Sequence, residues 1–76
     1  MRYHSGHDIR MGDRVSMSGR PGVVVFSIDH DEFSPGYSRE DWASLASGVM
    51  LDVAGWGLVH MHGPPDLDLE LISRAK

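Results

Sequence analysis

The side chains best suited to chemistry in this chain are its histidines and one knot of acids. His60 and His62 stand two residues apart, so on a strand they share a face. His4 and His7 lie near the start, and His30 sits between Asp29 and Asp31. A His-x-His pair with a third ligand can hold zinc through its ring nitrogens. His60 and His62 are therefore the metal candidates, but no third ligand stands at a matching spacing. Two histidines on an outward strand face are the simpler expectation, and no cofactor is implied. Asp29, Asp31 and Glu32 are close in sequence, yet their spacing and number do not fit a calcium loop. No serine sits in a strained elbow, and no glycine-rich loop leads into a helix as a phosphate cradle. No residue is a candidate for catalysis, and the chain is not expected to be an enzyme. It has no cysteine, which removes disulfides and thiolate metal sites and suits a reducing compartment.

The aromatics suggest binding instead. Trp42 and Phe26 fall at positions that read as core. Trp56 lies in Ala54-Gly55-Trp56-Gly57, between two glycines at a hairpin tip, where it either anchors an interface or folds back over the core. Phe33 and Tyr37 border the acids. Asp29, Asp31, Glu32, Phe33, Tyr37 and Trp56 together make an expected partner-binding surface: carboxylates steer a basic partner, and aromatics supply the buried anchors.

Charge supports that direction. The chain carries −4 over 76 residues. Residues 1–20 hold Arg2, Arg10, Arg14 and Arg20 against Asp8 and Asp13, while residues 21–76 hold nine acids against Arg39, Arg74 and Lys76. Most of the length repels polyphosphate. Arg10, Arg14 and Arg20 remain as a local basic edge for an alternative, nucleic-acid reading.

The elements that position these residues follow from pattern. Val15 and Met17 alternate with Ser16 and Ser18, which predicts a strand. Arg20-Pro21-Gly22-Val23 fits a type II turn. In the run Val23–Ile28, alternation sends Val24, Phe26 and Ile28 to one face and Val23 and Val25 to the other. Ser34-Pro35-Gly36-Tyr37 is a second turn. Ser38 is a good N-cap for a short helix over residues 38–46, with Trp42, Leu45 and Ala46 on one side. Val49, Leu51 and Val53 predict a third strand, Leu58–Met61 a fourth, and Leu67, Leu69 and Leu71 a fifth, with Asp66, Asp68 and Glu70 facing out. Residues 1–9 read as polar and loosely held. No apolar run reaches the roughly 20 residues of a membrane helix. The start of the chain has no apolar signal core, and a cytoplasmic address is the default expectation.

Five short strands and one helix in a single domain predict a mainly β chain folded as an SH3-like small barrel, with the helix plugging one end. Gly12-Asp13 before the first strand and Gly22-Val23-Val24 at the second resemble the KOW-type opening hairpin of that family. The resemblance covers residues 9–28 and implies an RNA- or ribosome-associated role. The acids at residues 29–32 and on the last strand depart from the basic loops of that family. In size and acidity the chain also resembles small bacterial immunity proteins and antitoxins. That likeness implies a protein-binding inhibitor that blocks a basic toxin or nuclease.

Overall fold

The first hairpin of the sheet turns at Ser18-Gly19, not at Pro21-Gly22. In the computed structural model, which describes residues 2–3, 6–45, 47–62 and 69–74, strand β1 (Arg14–Met17) pairs antiparallel with β2 (Arg20–Ser27). Met17 lies opposite Arg20 and Ser16 opposite Pro21. Ser18 and Gly19 both take positive φ, 51° and 81°. Two such residues make the tight turn whose twist matches a hairpin. The type II turn expected over residues 20–23 is thus replaced by strand. Proline is tolerated there for a local reason. The Pro21 carbonyl accepts from the Ala54 amide at 2.9 Å, so its nitrogen faces the same side. There β4 has already ended at Val53, and no ladder bond is lost.

The remaining elements are β3 (Glu32–Phe33), α1 (Arg39–Trp42), a 3-10 turn at Ala43–Leu45, β4 (Val49–Val53), β5 (Gly57–Met61) and β6 (Leu69–Ser73). They form one antiparallel sheet in the order β5-β4-β2-β1-β6, with β3 also on β2. The chain is mainly β, as expected, with six strands among the described residues where five were expected. The expected barrel closure is absent among the described residues: β5 and β6 end the sheet and do not pair with each other. Asp66, Leu67 and Asp68 lie outside the described residues. The short helix starts where it should, because the Ser38 hydroxyl accepts from the amides of Glu40 and Asp41 at 3.1 and 3.4 Å. It is shorter than residues 38–46, passing into the 3-10 turn after Trp42.

Two apolar clusters lie on opposite faces of the sheet. The larger gathers Val15, Met17, Val24, Val49, Leu51, Val53 and Leu69 with Tyr3 and Ile9. The second centres on Val25, Phe26 and Met50 and is covered by Ile28, Phe33, Tyr37, Trp42 and Leu45. A bulge in β2 makes this division. Val24 faces Leu51 and Phe26 faces Met50, with Val25 the extra residue between them. The simple alternation that grouped Val24 with Phe26 therefore fails at Val25. Tyr3 and Ile9, in the stretch read as loosely held, are 2% and 0% exposed. No helix among the described residues is long and apolar enough to cross a membrane.

Candidate functional site

The acidic loop is a hairpin connection between β2 and β3, and its carboxylates are engaged at home. The Asp31 amide donates to the Ile28 carbonyl, and Asp31 itself takes φ 56°, which turns the chain into β3. Asp31 then pairs with Arg39 at 2.6 Å. Asp29 accepts from the Gly48 amide at 3.0 Å, tying the loop to the start of β4. Glu32 takes a two-pronged bond from Arg10, at 2.9 and 2.6 Å, and a third from the Met11 amide. These bonds outweigh its partial desolvation and bring its carboxyl down to about 2.

The aromatics beside the acids face inward. Phe33 stacks on Phe26 with ring centres 5.2 Å apart, and Tyr37 and Trp42 tilt onto the same ring at 5.9 and 5.3 Å. The turn that delivers Tyr37 is the one expected at residues 34–37, closed by the Tyr37 amide on the Ser34 carbonyl with Gly36 at φ 91°. Phe33 and Tyr37 therefore build the second cluster with Trp42.

Trp56 stands at the other end of the sheet. Val53 pairs with Gly22 near the start of β2, whereas Val49 pairs with Ser27 at its far end, beside the acids. The six expected partner-binding residues are thus split: Asp29, Asp31, Glu32, Phe33 and Tyr37 lie at one end of β2 and Trp56 at the other. Trp56 belongs to neither cluster and is 49% exposed. Arg20 sits over its ring at 5.1 Å and donates to the Ala54 carbonyl at 3.3 Å. The indole is therefore an exposed side chain held by a cation, not a cap on the core.

The three arginines of the basic edge also divide. Arg10 is spent on Glu32, while no carboxylate pairs with Arg14 or Arg20 among the described residues. His60 and His62 share a face, with ring centres 5.2 Å apart. The His60 Nε2 donates to the Ser47 carbonyl at 2.9 Å, which occupies one of its two nitrogens. His4 lies outside the described residues. No group of three metal-binding side chains gathers among the described residues.

One buried polar centre lies outside the expected site residues. Asp13 is 1% exposed and accepts from the Tyr3 hydroxyl at 2.6 Å and the Arg10 amide at 3.0 Å, with the Arg74 guanidinium 4.0 Å away. Burial first, and then the Asp13 carboxylate, push the Tyr3 phenol far above its usual range, so it stays a donor. Asp13 thus ties Tyr3, Arg10 and Arg74 to the entry of β1, while the Gly12 amide donates to the Val24 carbonyl of β2. The available signal was an aspartate just ahead of a strand, which is too common to single out. No protein-family model, curated protein or solved structure matches this chain.

Proposed function

We propose that this chain is a small acidic protein-binding module that presents Trp56, braced by Arg20, to a basic partner protein. The observation that carries this reading is a half-exposed tryptophan held under an arginine at a hairpin tip. Tryptophan and arginine are the residues most enriched among binding hot spots, and an indole already held in place loses little freedom on docking. The net charge of −4 speeds encounter with a basic surface. The class this fits is an inhibitor or immunity protein that covers a toxin or nuclease in the cytoplasm. The finer fold reading, an SH3-like module, rests on Gly12-Asp13 and the β1–β2 hairpin rather than on closure. A nucleic-acid role would rest on Arg14 and Arg20 alone, since Arg10 is neutralised by Glu32. Too few cations remain there for polyphosphate affinity.

The test is capture from nuclease-treated extract of the source cell with tagged wild type and Trp56→Ala, after circular dichroism shows both folded. One stoichiometric basic protein, released by salt and lost with Trp56→Ala, supports the reading. Equal retention by both chains, or capture only of proteins that leave with nucleic acid, overturns it.

A further inference from the structure

The two ends of the sheet differ in how they are guarded. β6 carries the outward Glu70, and its ladder with β1 is irregular between Arg14 and Val15. β5 has neither device. Its sequence, Gly57-Leu58-Val59-His60-Met61, holds no Asp, Glu, Lys, Arg or proline, and its ladder with β4 is regular throughout. No strand among the described residues pairs with its other side. Leu58, on this strand, is 45% exposed. An unguarded edge of this kind is a template for another strand.

We propose that β5 pairs with β5 of a second copy, antiparallel about Val59, joining two sheets into one. Self-complementarity favours this occupant. A basic strand would gain no carboxylate along β5, whereas a second β5 meets no charge on the edge itself. It pairs the outward amides and carbonyls of both chains, against the long-range repulsion of two chains of −4. Antiparallel pairing of one strand with itself is two-fold symmetric and closes as a dimer. It places Leu58 opposite His60 of the second copy and brings the two Leu58 side chains to the same face, diagonal to each other.

Sedimentation of the purified chain alone tests this without any other partner, so its outcome is separate from the Trp56 reading. The expected result is mass that doubles with concentration, and a dissociation constant raised at least about tenfold by Leu58→Lys, which puts a charge on the edge. The chain has no native cysteine, so Val59→Cys supplies a second readout. Residues facing each other across antiparallel strands lie about 4.5–5.5 Å apart at Cα, within disulfide reach, and oxidation should give one linked dimer. A wild type that stays monomeric at every concentration overturns the proposal, as does a dimer insensitive to Leu58→Lys. A dimer that Val59→Cys does not link overturns the pairing about Val59.

Discussion

Two aromatic regions lie at opposite ends of β2, and they differ in what surrounds them. Phe33, Tyr37 and Trp42 converge on Phe26, and the acids beside them are tied to Arg10, Arg39 and Gly48. Trp56 lies under Arg20, joins neither apolar cluster and is half exposed. The first region spends its chemistry on the fold, and the second keeps it available. An acid next to an aromatic in sequence is therefore not yet a binding surface. The local turn decides whether the ring faces in or out.

The largest effect should come from the centre of the first region. Phe26→Ala removes a fully buried ring on which three others pack and should cost about 3–5 kcal/mol. In a domain of this size that approaches the whole stability, so urea melts should show a chain largely unfolded without denaturant. Tyr3→Phe comes next. It leaves the buried Asp13 without its 2.6 Å donor and should cost about 1–3 kcal/mol in the same melts. Retained stability in that variant would mean that Asp13 is satisfied by Arg10 and Arg74 alone. Trp56→Ala should lower stability by only about 1–2 kcal/mol, because it gives up one cation–π contact and the covered half of a ring that joins neither cluster. A larger loss would make Trp56 part of the fold and erase the contrast.

The smallest effect is a pH dependence. Glu32 sits near 2 when folded and near its ordinary value of about 4.3 when unfolded. Its contribution is thus full above the unfolded value and fades as pH falls through the folded one. Glu32→Gln should flatten the acid limb of the stability curve between about pH 4.5 and 2, and leave the neutral region less affected by salt. An unchanged acid limb would mean the Arg10 clamp is open in solution.

The sequence made the strands legible where alternation was strict. Val49, Leu51 and Val53 face the core as their spacing required, and Ser38 caps its helix. What stayed hidden was set by tertiary context. Proline and glycine at 21–22 gave the stronger turn signal, yet Ser18 adopts positive φ and takes the turn. The bulge at Val25 leaves no mark in a run of valines. Trp56 was legible as a hairpin-tip residue, but its exposure depended on whether the chain brought a cover to it. Phe33 and Tyr37 looked the same in sequence and were brought inward by the turns at residues 28–31 and 34–37.

The most direct measurement is acrylamide quenching of the two tryptophans one at a time. Trp42→Phe leaves Trp56 as the only indole, and Trp56→Phe leaves Trp42. The chain that retains Trp56 should emit further to the red and quench several-fold more readily than the chain that retains Trp42. Equal quenching, or stronger quenching of Trp42, would contradict the division of the molecule into a structural aromatic cluster and an exposed aromatic anchor.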